Sequence, residues 1–204
     1  MKNLSLLKFL SLLLLIISPS AHAAKTILVF GDSLSAGYGI ARETSWPNLL
    51  QQELGSSHPQ FVVVNASISG ETTSGGLRRI TPTLEQYQPG IVIIELGAND
   101  GLRGGSLTVM RNNLSSIIQR AQHAKAQVLL VGMRLPPNYG KSYVDGFQNS
   151  YTQLAKKHRV TLLPFLLEGV PAEQFQADNL HPNADAQPHI MDNVLRPLRL
   201  LLLK

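Results

Sequence analysis

KTILVFGDSLSAGYG, residues 25–39, opens with β-branched and aromatic residues and then stops on Gly31-Asp32-Ser33. The first half suits a strand and the second a loop that sets a small hydroxyl at the strand's carboxyl end. Four further apolar runs follow: FVVVN (61–65), IVIIEL (91–96), VLLVGM (128–133) and VTLLPF (160–165). Runs this continuous are expected of strands buried on both faces. Between them lie helical patterns. Trp46, Leu49, Leu50 and Leu54 share one face, as do Leu77, Ile80 and Leu84, and Leu107, Met110, Leu114, Ile117, Ile118 and Ala121. Thr44 and Ser45 before Trp46-Pro47 read as a helix cap and an early-helix proline. Five strand runs alternating with helices predict a parallel sheet with helices on both sides.

The chain has 204 residues, 44% hydrophobic and 15% charged, enough for one well-buried core. Residues 1–23 stand apart. Lys2 and Lys8, the apolar stretch from Phe9 to Ile17, and Ala21-His22-Ala23 give the three regions of a cleavable secretory signal, too short in its apolar part for the ~20 residues of a spanning helix. One domain is then expected over 24–204. Taking Lys2 and Lys8 from the 18 basic residues leaves 16 against 13 acidic, a formal +3, too mild to argue nucleic-acid binding. Cysteine is absent, which excludes disulfides, thiolate catalysis and Cys-ligated metals. The expectation is an exported protein, periplasmic if the source is a Gram-negative bacterium. The terminal RPLRLLLLK has too few leucines to span a bilayer and is expected to pack on the sheet.

In parallel α/β sheets ligands bind beyond the carboxyl ends of the strands. The residues to weigh are therefore Gly31-Asp32-Ser33, Ala66 to Gly70, Gly97-Ala98-Asn99-Asp100, and the late loop DNLH at 178–181. A serine hydroxyl attacks well only when a base takes its proton and a third group holds that base in one tautomer. Of six histidines, His22 leaves with the signal, His58 sits in a polar loop, His123 and His158 fall near helix ends, and His189 lies in the last helical pattern. His181 stands in a loop before Pro182, three residues after Asp178, a spacing that lets the carboxylate reach Nδ1 and leaves Nε2 for a serine. Taken alone, Asp-x-x-His reads as a helix-start capping pair before it reads as part of a triad. Acyl transfer also needs neutral donors for the oxyanion, and the Ser33 N–H, the Gly70 N–H and the Asn99 side-chain amide could supply them. Each alone could be turn chemistry.

Together, GDSLS (31–35), NASISG ending at Gly70, GAND (97–100) and DNLH (178–181) resemble the four blocks of the GDSL, or SGNH, hydrolases. The resemblance implies a three-layer α/β/α, flavodoxin-like, doubly wound parallel sheet of five strands. It further implies a Ser33–His181–Asp178 triad, oxyanion donors from Ser33, Gly70 and Asn99, and no cofactor or metal. Hydrolysis of carboxylic esters and acyl thioesters (fatty acyl thioester, lysophospholipid, aryl ester) through an acyl-enzyme is the function it suggests. The partner is then a small acyl substrate, with no nucleic acid and no stable membrane insertion, and the protein a monomer. Leu135, beside Pro136, Pro137 and Tyr139, is the expected substrate contact. Two alternatives stand beside it: a carbohydrate O-acetyl esterase, and a non-catalytic binder of acyl chains.

Two motif matches fail on inspection. Gly140-Lys141-Ser142 mimics the end of a phosphate loop, but Leu135 stands where its first glycine belongs, and Pro136 and Pro137 have no N–H to offer. Asp178, His181 and Asp185 make a poor zinc set.

Overall fold

The computed structural model describes residues 24–203, so the expected signal segment lies outside the described residues. In chain order the elements are β1 (Lys25–Gly31), α1 (Ser33–Ala36), α2 (Trp46–Ser57), β2 (Phe61–Asn65), α3 (Thr73–Tyr87), β3 (Ile91–Glu95), α4 (Ala98–Leu102), α5 (Leu107–His123), β4 (Gln127–Val131), α6 (Lys141–His158), β5 (Thr161–Leu163) and α7 (Gln187–Leu202). The strands form one parallel sheet in the order β2-β1-β3-β4-β5. Helices α2 and α7 pack together, and α3 packs on α5, which packs on α6. With the sheet between, this is the expected doubly wound α/β/α sandwich.

Central strands carry the continuous burial that their composition predicts. Ile27 to Phe30 and Val92 to Ile94 are fully buried, and each such aliphatic or aromatic side chain contributes about 1.5–3 kcal/mol by leaving water. The edge strands differ from the expectation of burial on both faces. Val62 in β2 is 41% exposed, and Thr161 and Leu162 in β5 are half-buried, because an edge strand has a neighbour on one side only. β4 and β5 are also shorter than their apolar runs. A side chain at Gly132 would meet the Pro164 carbonyl, and Pro164 has no N–H to continue the ladder.

The cap expected at Ser45 takes another form. Ser45 precedes α2, but its hydroxyl donates to the Arg42 carbonyl at 2.6 Å. The Trp46 N–H is satisfied instead by the Gln187 Oε1, 3.0 Å away at the start of α7. One buried bond thus joins the two helices on that face.

The strand order places the functional edge. All strands run the same way, but the order in which they are added reverses between β1 and β3, the switch point of such sheets. Register pairs Gly31 with Glu95, so the loops bearing Ser33 and Asn99 leave the sheet side by side.

Candidate active site

Ser33 begins α1 directly after β1, with Asp32 as its cap: the Asp32 Oδ1 accepts the Leu34 N–H at 3.1 Å. Both residues are buried. One residue of α3, Arg79, braces this turn. The Arg79 guanidinium donates to the carbonyls of Ala66 (2.7 Å) and Gly31 (3.4 Å), lies 3.8 Å over the Phe30 ring and pairs with Glu71 at 2.7 Å. The loops after β1 and β2 therefore share one cation.

His181 reaches the serine from the loop before α7. Its Nε2 lies 2.9 Å from Ser33 Oγ, and its Nδ1 lies 2.6 Å from Asp178 Oδ2. The other Asp178 oxygen accepts the N–H groups of Leu180 and His181, both at 3.0 Å. The His181 N–H first, its imidazole second and the Leu180 N–H third lower the Asp178 carboxyl to about 2, so it is ionised at neutral pH. Both arrangements left open by Asp-x-x-His occur together here. Asp178 does accept backbone N–H groups in capping fashion, and it also grips the ring.

Asn99 stands on α4, after β3, and its amide donates to Asp32 Oδ2 at 3.1 Å. Asp100 beside it turns away from Ser33 and accepts both the N–H (2.8 Å) and hydroxyl (2.6 Å) of Thr73, at the first turn of α3. Gly70 has φ 77°, a left-handed conformation that explains glycine there, and its carbonyl accepts from Arg103 at 3.3 Å. The Ser33 and Gly70 N–H groups have no acceptor among the described residues. Gly70 sits on the adjacent loop, outside the wall of the cleft described next.

That cleft, about 340 Å³, opens beside the serine and is walled by Ser33, Asn99 and His181 on one side. Leu34, Leu102, Met133, Leu135, Phe165 and Leu180 are among the apolar residues that complete it. Leu135 and Pro136 line this cleft; Tyr139, beside them in sequence, donates to the Leu102 carbonyl at 2.8 Å. Met133, Phe165, Leu167, Phe175 and Leu180 are lining residues that the sequence reading missed. Met133 and Phe165 close the fourth and fifth apolar runs, and position just past a strand end is the one signal that could have marked them.

The remaining histidines in the described residues bond away from Ser33: His58 to Ser57, His123 to the Gln119 carbonyl, His158 to Ser115 and His189 to the Glu168 carbonyl. Among the described residues no three metal-ligating side chains cluster.

The GDSL-like lipase/acylhydrolase pattern matches residues 29–187. The chain belongs to that family. Its likeness to curated members covers nearly the whole chain. It is 45% identical over 193 residues to the thioesterase 1/protease 1/lysophospholipase L1 of Escherichia coli K12, covering 94% of this chain and 91% of that one. To esterase TesA of Pseudomonas aeruginosa it is 44% identical over 192 residues, covering 93% and 96%. Among solved structures, that of TesA superposes with a TM-score of 0.85 at 44% identity, covering 87% of this chain and 99% of that one. The psychrotrophic esterase EstA from a Pseudoalteromonas species, in a structure inhibited by monoethylphosphonate, gives 0.84 at 42% identity, covering 88% and 100%. This GDSL-like chain is accordingly an enzyme, an SGNH-type ester hydrolase.

Proposed function

We propose that the enzyme cleaves carboxylic esters and acyl thioesters, with lysophospholipids and aryl esters among its substrates, by a Ser33–His181–Asp178 mechanism. The observation that carries this is the chain of bonds from Asp178 through His181 to Ser33, opening on an apolar cleft. Neutral His181 takes the Ser33 proton as Oγ attacks the acyl carbon, and the imidazolium so formed is balanced by ionised Asp178. Negative charge builds on the carbonyl oxygen, toward which the Ser33 N–H, Gly70 N–H and Asn99 amide are assigned as donors. Collapse breaks the bond to the leaving alcohol or thiol, which takes the proton from His181. Water, activated by the same imidazole, then adds to the acyl-serine, and its breakdown releases the acid and restores the Ser33 hydroxyl.

The apolar wall is what favours long acyl groups over the acetyl group of a carbohydrate ester. Its volume falls in the ~300–1,000 Å³ range of small-molecule sites, far more than two carbons need. Inhibition of the Pseudoalteromonas relative by a phosphonate supports a reactive serine. Rates across nitrophenyl esters of increasing chain length, beside an acyl thioester, a lysophospholipid and an acetylated sugar, test the assignment. Highest kcat/KM on the acetylated sugar would overturn it.

We further assign residues 1–23 to a cleaved export signal and 24–204 to one hydrolase domain acting as a periplasmic monomer. The tripartite N-terminal pattern supports export, and no helix among the described residues is long and apolar enough to cross a membrane. N-terminal sequencing of the exported protein should begin at Ala24, and sedimentation should give one chain per particle.

A further inference from the structure

Behind the nucleophile lies a carboxyl group for which the triad has no use. Glu95 ends β3 and is fully buried, as is Asp32. Its Oε2 accepts the Ser35 hydroxyl at 2.7 Å and the Asp32 N–H at 3.3 Å. Its Oε1 has no donor among the described residues. A Cβ on Gly31 would strike both Glu95 Oε2 and Ser35 Oγ, so the strand end is shaped around this contact.

The surroundings offer Glu95 no counter-charge. The Asp32 carboxyl lies within hydrogen-bonding reach, and Asp32 is itself acidic. Tyr151, from α6, spends its hydroxyl on the Leu96 carbonyl at 3.1 Å. Asp100 is held by Thr73, Arg79 is engaged by Glu71 and two carbonyls, and His181 lies beyond Asp32. Two buried carboxylates in contact repel, and neither can donate to the other. One must hold a proton. Asp32 accepts from the Leu34 N–H and the Asn99 amide, bonds that favour its charged form, whereas the unpartnered Oε1 marks Glu95 as the neutral acid.

We propose that Glu95 is a protonated positioning residue whose acid hydrogen bonds the Asp32 carboxylate, which in turn holds the Asn99 amide in place to receive the oxyanion. This rests on the donor role assigned to Asn99 above. Burial first, and the Asp32 charge second, push the Glu95 carboxyl well above the usual range. The native protein thus keeps a proton that the unfolded chain releases near pH ~4.3. Such a group favours the native state fully at low pH, and that advantage is lost as pH rises through its native titration.

Two variants that preserve shape, each compared with the parent enzyme, provide the test. Glu95→Gln keeps a neutral donor, so its kcat should stay within about threefold of the parent, and Asp32→Asn, which removes the anchoring charge, should lower kcat about tenfold or more with KM little changed. The parent should show the infrared carbonyl band of a protonated carboxylic acid at neutral pH, and E95Q should lack it. The melting temperature of E95Q relative to the parent should climb between pH 5 and pH 8. Loss of turnover in E95Q, absence of the band in the parent, or a melting difference independent of pH would overturn the proposal. So would normal kcat in D32N while Asn99→Ala is impaired, a result that leaves the oxyanion reading standing. Normal kcat in N99A instead overturns that reading and, with it, the purpose assigned to Glu95.

Discussion

The amide of Asn99 donates to the carboxylate of Asp32 at 3.1 Å, joining the residue that follows β3 to the one that precedes the nucleophile. An amide held this way is oriented before substrate arrives, and preorganised donors are what stabilise developing charge. If the assignment holds, Asn99→Ala should lower kcat by about 10²–10³ with KM nearly unchanged, since the interaction strengthens only as the oxyanion forms. A turn residue would instead show a lower melting temperature and normal turnover per folded molecule. Kinetics and thermal melts on one preparation separate the two outcomes.

Ser33 should be the nucleophile, because its Oγ is the hydroxyl that His181 Nε2 meets. An alkyl fluorophosphonate should add one equivalent on the peptide that contains Ser33, and Ser33→Ala should remove both labelling and activity. Label on Ser35, whose hydroxyl is committed to Glu95, would contradict the assignment.

Activity should fall on acidification as His181 gains a proton, because only neutral imidazole can accept from serine. Asp178 provides a second pH effect with its own sign. Its carboxyl is lowered to about 2 by the backbone N–H of His181 first, against ~3.9 in an unfolded chain. Its contribution to stability is therefore present above pH ~4 and lost as pH falls toward about 2. Asp178→Asn should flatten acid unfolding in that window and reduce kcat. An unaltered acid limb in D178N would show that the bonds seen at Asp178 add nothing to folding.

Gln176 should act as a strap across the site. Its side-chain amide donates to the carbonyls of Tyr38 (2.8 Å) and Pro182 (3.0 Å), and its own N–H donates to the His181 carbonyl at 2.8 Å. Tyr38 also places its ring 4.6 Å from the His181 ring. Gln176→Ala should lower kcat by about tenfold through looser registration of base and nucleophile, with KM little changed. Unchanged kcat with a lower melting temperature would make the strap purely structural.

Local pattern was enough to read the strands, the helical faces and the Asp178–His181 pair, because each depends on residues a few positions apart. Composition and the N-terminal pattern also carry the export reading by themselves, since that signal is read as a linear segment. The meeting of Ser33 with His181 spans 148 positions. The sequence motifs could nominate those two residues, but only the sheet order brings their loops together. Edge exposure of β2, the Gln187 bond that takes over the cap of α2, and a cleft assembled from several strand-end loops all depend on which strands become neighbours, which periodicity does not encode. Glu95 is the sharpest instance: within IVIIEL it is one polar letter at the end of an apolar run, and its chemistry follows entirely from the parallel register that sets it against Gly31 and Asp32 in a space closed to water.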